Sequence, residues 1–278
     1  MSKRLRINID FDNEPIIKKN KKLIDIPLID SENIYISEKL INFGSFGLIF
    51  ESFFKNKKVI VKVLKKRIPE NHLYSLTKIY NSKFSNILKP IAISSCMKKI
   101  VFPYLEGESL NYNIYNLLTD KEKINQNMLN CIYNLHSLKI IHSDIKPNNF
   151  MLVNNNVILI DIDSCIPVID NEPFIKCLYP QYGTIGFRKP NKMKINYNDD
   201  LWSLGATLYN LNTNKVPYED EIENINLLNE SSLIYKLHDK YYENNEKVDL
   251  SRFIDNLYLY NMMDLLFNSN EIVDCCYP

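Results

Sequence analysis

The chain has 278 residues, with 34 lysines and arginines against 33 aspartates and glutamates and a formal net charge of +1. That balance gives no electrostatic footprint for nucleic acid. No apolar run approaches the roughly 20 residues needed to cross a bilayer, so no membrane association is expected. Six scattered cysteines form no CxxC pair, and the first apolar stretch is broken by Asp10, Asp12 and Glu14. These features read as reduced thiols in a protein of the cytoplasm, without a signal peptide. The abundance of Asn, Ile, Lys and Tyr fits an AT-rich coding sequence more than a physical demand.

Residues 1–33 are polar and irregular, with Lys18, Lys19, Lys21 and Lys22 close together, and read as a solvated extension. From Ile34 the branched and aromatic runs Ile34–Ile41, Leu48–Phe54 and Val59–Leu64 predict a three-stranded meander. Leu73, Leu76, Ile79 and Tyr80 then fall at helical spacing, and Ile87–Ser94 and Lys99–Tyr104 predict two more strands. Beyond Gly107 the pattern turns helical. Met128, Leu129, Ile132, Leu135 and Leu138 form an apolar stripe, Val157–Ile160 a short buried strand, and Leu201–Leu211 a buried helix. Residues 219–278 show weaker helical periodicity and many asparagines. The expected class is α+β, a small sheet-rich lobe followed by a larger helical one.

Ile141–Met151 reads IHSDIKPNNFM, with Asp144 two residues before Lys146 and five before Asn149. A carboxylate to orient an attacking hydroxyl, a cation beside the moving phosphate and an amide oxygen for a metal are what phosphoryl transfer needs. Other segments stand around it in order. INFGSFGLIF (41–50) is a glycine-bearing hairpin whose backbone could approach phosphates, although alone it is an ordinary turn. Lys62 ends the apolar run Val59-Ile60-Val61, where a lysine must snorkel or meet anions. Asp161-Ile162-Asp163 follows the Val157–Ile160 strand; Asp161 is the candidate for magnesium, which prefers hard oxygens, with Asp163 as the alternative. GTIGFRKP (183–190), DLWSLG (200–205) and TLYNLNTNKVPY (207–218) follow.

In that order, over about residues 34–218, these segments resemble the motifs of eukaryotic-type Ser/Thr protein kinases. The resemblance implies a bilobal kinase fold, with an N-lobe over 34–105, a C-lobe over 108–278 and a divergent tail from 219. It implies ATP as phosphoryl donor, Mg²⁺ (Mn²⁺ as an alternative), a Ser or Thr hydroxyl of a protein as acceptor, and a monomer. Asp144, Lys146 and Thr184 would be catalytic, and Asn149 and Asp161 would hold the metal. Ile41, Asn42, Gly44, Ser45, Phe46 and Gly47 would cover the nucleotide, with Ile49, Ile60 and Met151 lining its pocket. Lys62 would hold the phosphates and Glu70 would pair with it. Phe102 would be the gatekeeper, Pro103 and Leu105 the hinge, and Glu108 a ribose contact. Asp200 would brace the catalytic-loop backbone.

The departures carry expectations of their own. Asn42 replaces the first glycine of the nucleotide loop, and Asp163 the glycine after the metal aspartate. Ser143 replaces the arginine that reads a phosphorylated activation loop, which predicts activity without that phosphorylation. Asn191 replaces the glutamate that pairs with a late arginine, for which Arg252 is the candidate. A pseudokinase scaffold that transfers nothing is the alternative, and a small-molecule phosphotransferase of related fold a third.

Overall fold

The computed structural model describes residues 25–43, 47–169, 174–176, 183–189, 194–222, 228–229, 232–233, 235–237, 239–240 and 248–268. Its N-terminal part is a six-stranded sheet made of β1 (Leu28–Ile29), β2 (Leu40–Phe43), β3 (Gly47–Phe54), β4 (Lys57–Leu64), β5 (Ala92–Ser94) and β6 (Lys99–Pro103). Their order is β1-β5-β6-β4-β3-β2. All neighbours pair antiparallel except β1 and β5, which are parallel.

Alternation along β4 decides what faces the rest of the molecule. Side chains of a strand point to opposite faces in turn. Val59 and Val61 pack outward with Ile34, Ala92 and Val101 in a small cluster, whereas Ile60 and Leu64 join the main core. Lys62 shares the face of Ile60 and Leu64 and is thereby carried to Asp161 and Asp163 of the C-terminal part. Helix α1 (Glu70–Asn81) lies beside the sheet and buries Leu76 and Ile79.

Three strand expectations change. The Ile34–Ile41 run enters the ladder only at Leu40, because residues 34–39 are tied to β3 by other bonds. The Ser52 hydroxyl donates to the Tyr35 carbonyl (2.6 Å), the Ser37 hydroxyl to the Glu51 carbonyl, and the Glu51 N–H to the Lys39 carbonyl (3.1 Å). Of Ile87–Ser94 only Ala92–Ser94 is a strand; Pro90 has no N–H to give a ladder, and Ile87 forms an isolated bridge with Leu159. The end of the expected solvated extension is anchored to the sheet, although most of residues 25–33 are exposed. Ile26 is 1% exposed in the main core, and β1 adds an edge to the sheet.

The C-terminal part is mainly helical. It contains β7 (Glu108–Ser109), α2 (Tyr112–Asn116), α3 (Lys121–Ser137), β8 (Ile140–Ile141), β9 (Phe150–Val153), β10 (Asn156–Leu159) and β11 (Ile166–Pro167). Further on are β12 (Phe174–Lys176), β13 (Lys194–Asn196), α4 (Tyr197–Thr213) and α5 (Leu257–Phe267) among the described residues. Helix α4 is buried on nearly every side, polar residues such as Asp200 and Thr207 included, and is therefore central. Trp202, Leu204, Ala206 and Leu208 are fully buried, and Trp202 meets Phe267 of α5 edge-on at 5.2 Å. The expected stripe on α3 buries Met128, Ile132 and Leu135 in the same core. A β-sheet part followed by a helical part is the α+β arrangement expected. No helix among the described residues is long and apolar enough to cross a membrane.

Candidate active site

The loop after β8 is held from below by one buried carboxylate. Asp200, 1% exposed near the start of α4, accepts the His142 N–H (2.7 Å) and the Ser143 N–H (2.8 Å), and its Oδ2 also bonds His136 Nε2 of α3 (2.8 Å). These bonds satisfy buried donors that a left-handed turn at Ser143 (φ +66°) would otherwise strand. A capping box sets the start of α4: the Asn196 side chain accepts the Asn198 N–H and Asp199 Oδ2 accepts the Asn196 N–H.

Thus braced, the loop presents Asp144 with its two oxygens separately engaged. Thr184 Oγ1 donates to Asp144 Oδ1 (2.7 Å), Lys146 Nζ to Asp144 Oδ2 (2.8 Å), and Lys146 Nζ also to Thr184 Oγ1 (2.9 Å). Gly183 makes the Thr184 contact possible. Its φ is +78°, and a Cβ there would lie 2.8 Å from the Ser143 carbonyl oxygen. A second link uses the residue that replaces the family arginine: Ser143 Oγ donates to the Ser164 carbonyl (2.7 Å) and Ser164 Oγ to the His142 carbonyl (2.9 Å).

Asn149 Nδ2 donates to the Asp144 carbonyl (2.7 Å), which leaves its amide oxygen for a cation. Asp161 follows β10 in a left-handed conformation (φ +55°) that aspartate tolerates better than most residues. Its Oδ1 bonds Lys62 Nζ at 2.8 Å. Burial pushes the Asp161 carboxyl up, but the Lys62 ammonium outweighs it and holds the group below its usual value. Among the described residues no three or more His, Cys, Asp or Glu side chains converge as a metal site. An amide oxygen with one carboxylate fits magnesium, which keeps few protein ligands and takes the rest from water and phosphate.

Lys62 is 7% exposed and has a second partner, Asp163, whose side chain is 4% exposed. Glu70, the expected partner, stands exposed at the first residue of α1 and makes no ion pair with Lys62. From α1 it is His72 that reaches this cluster, its Nε2 3.8 Å from Asp163 Oδ1. Burial, with the Lys62 charge adding to it, pulls the His72 imidazole down to about 4, so it is neutral at pH 7. From the sequence Asp163 is expected only as an alternative metal ligand, and His72 carries no motif that marks it. The one available signal was a shortage: α1 contains a single carboxylate, at its very start.

The remaining predicted residues are spread over the sheet part and the strands that follow it. Ile60 pairs with Phe102 in the sheet, and Ile49 with Lys62. Phe102 is buried; Pro103 and Leu105, in the connection out of β6, are half-buried. Glu108 is exposed on β7, where Ser109 pairs with Met151. Ile41 and Asn42 lie in β2 at a bulge, both exposed. Gly47 is needed for packing as well, because a Cβ would sit 2.1 Å from the Val63 carbonyl oxygen. Gly44, Ser45 and Phe46 lie outside the described residues, as does Asn191. Arg252 pairs with Asp220 and lies over the Tyr209 ring, 5.4 Å from its centre.

A sheet part and a helical part bridged by the Lys62–Asp161 bond, with Asp144 bonded to Thr184 and Lys146, is the arrangement that the order of motifs implies. Residues 35–271 match the family described as protein kinase domain, and the chain belongs to that family. It is 28% identical over 218 residues to a putative mitogen-activated protein kinase kinase kinase 7-like protein of Drosophila melanogaster, covering 71% of this chain and 53% of that one. It is 26% identical over 209 residues to a serine/threonine-protein kinase stk11 homolog of Dictyostelium discoideum, covering 66% and 36%. To the serine/threonine-protein kinase MPS1 of Encephalitozoon cuniculi it is 28% identical over 187 residues, covering 64% and 28%. The chain thus spans about half or less of the length of these curated relatives.

Proposed function

We propose that the chain transfers the γ-phosphate of ATP to a serine or threonine hydroxyl of a protein. The observation that carries this reading is the separate engagement of the two Asp144 oxygens by Thr184 and Lys146. An acceptor hydroxyl entering beside Thr184 would meet a carboxylate already oriented to take its proton, while Lys146 steadies the transferred group. Lys62 and the 41–47 hairpin would position the phosphates, and the β6 exit at Pro103 and Leu105 would meet adenine. Asn149 and Asp161 would hold magnesium, or manganese in its place, which when bound neutralises phosphate charge. Lys146 and Thr184 favour Ser/Thr over Tyr acceptors.

Activity is proposed not to need activation-loop phosphorylation. The Ser143–Ser164 and Ser164–His142 bonds support it, since they tie the catalytic loop to the following segment without a phosphate or an arginine. A second reading, nucleotide binding without transfer, is favoured by α1 lacking a carboxylate toward Lys62. A peptide array presenting Ser, Thr and Tyr acceptors, probed with phosphatase-treated protein, tests these points together. Labelling of Ser and Thr spots is expected; labelling confined to Tyr spots would refute the acceptor class, and loss of all labelling after phosphatase the independence from phosphorylation.

A further inference from the structure

A lysine that holds ATP phosphates must itself be held, and in the protein kinase arrangement a glutamate of the helix after the lysine strand does so. Here α1 offers only exposed Glu70, and where it approaches Lys62 it presents His72 instead. Lys62 is nonetheless buried, and a buried ammonium is kept only where carboxylates pair with it. Asp161 is one partner, but the same carboxylate is the candidate for the metal and would have to turn to it. Asp163, the alternative metal candidate, has its two oxygens turned instead to Lys62 and to His72. It is buried, fixed in the single turn of 3₁₀ helix Ile162–Ser164, and occupies the position where the family carries glycine.

We propose that Asp163 is the positioning carboxylate for Lys62, taking over the role of the missing glutamate of α1. The inference rests on the kinase reading for its functional meaning, though the ion pair stands on geometry alone. Its consequence is a change of wiring. Lys62 is held by the segment after the metal aspartate, whose Ser164 is bonded to His142 and Ser143 of the catalytic loop. The orientation of the lysine therefore follows that segment and not the swing of α1.

Two measurements test this. In phosphoryl transfer, the isosteric variant Asp163→Asn is expected to lower kcat/KM for ATP by on the order of a hundredfold, as breaking a buried charge pair does. The double variant His72→Glu/Asp163→Gly, which moves the carboxylate back to α1, is expected to recover at least about a tenth of the wild-type value. Asp163→Asn within twofold of wild type, or a double variant no better than Asp163→Asn, would overturn the proposal. The second measurement is independent of activity and remains decisive if the wild-type protein transfers nothing, which would sink the kinase reading separately. Urea midpoints are compared for wild type, Asp163→Asn, Lys62→Met and the Lys62→Met/Asp163→Asn pair. Asp163→Asn should lower the midpoint when Lys62 is present and raise it when Lys62 is methionine, because it then removes an unpaired buried carboxylate. Lowering of equal size in both backgrounds overturns the pair.

Discussion

Asp200 illustrates how much one side chain can fix. It accepts two backbone N–H groups and bonds a buried histidine, so truncation strands several donors at once. Asp200→Ala is expected to destabilise the protein by about 3 kcal/mol, measured by urea denaturation, and to abolish transfer through loss of loop geometry. The role was expected from the family resemblance, and DLWSLG is a local string that carries it. The partnership of Lys62 was not legible in the same way, because it joins residues 99 and more positions apart and its helix member is absent. Thiols follow a simpler rule of exposure. Hydrogen bonds with Ser94 and Ser31 bring the exposed Cys96 down to about 7, whereas burial pushes Cys131 up to about 12 and raises Cys165 far above its usual value. The thiolate is the reactive form. Maleimide labelling followed by peptide mapping should therefore show Cys96 modified at pH 7.5, faster as pH rises through 7, while Cys131 and Cys165 stay protected until the protein unfolds.

At the scale of elements, the asparagines that looked like a coding bias have structural work. Asn111, Asn196 and Asn256 cap the starts of α2, α4 and α5, and Asn214 ends α4 in a left-handed conformation. Asn56, Asn154 and Asn155 take positive φ in hairpin turns. Composition alone could not reveal this, since capping depends on position. Asn256→Ala removes a cap and should cost about 1 kcal/mol. The strand β1 makes the sharper case. The apolar run around Ile26 is short, broken by Asp25 and Pro27, and lies in a segment that reads as solvated, yet Ile26 sits in the main core. Ile26→Ala is expected to cost about 2–4 kcal/mol in urea denaturation, the scale of a core cavity. A change near zero would mean that residues 25–29 do not pack as described. Helices α3 and α4, by contrast, were legible because long apolar periodicity is the strongest local signal.

For the whole molecule, the order of motifs conveyed the two-part architecture, because the chemistry constrains residue type and spacing at each step. What stayed hidden were contacts between segments distant in sequence: the N-terminal edge strand, the Ser143–Ser164 link and the Asp163 partnership. Each depends on the packed lobes and is written in no contiguous segment. The central claim is that Asp144 accepts the proton of an attacking hydroxyl while Lys62 and Lys146 hold the phosphates. The most direct measurement is transfer of label from γ-labelled ATP with magnesium, comparing wild type with Asp144→Ala after both are shown to be folded and to bind nucleotide. Wild type should phosphorylate a Ser/Thr protein substrate, and Asp144→Ala should fall by a factor of about 10² or more, the scale of a positioned base. Nucleotide binding without transfer by the wild type, or equal transfer by the two proteins, would contradict the account.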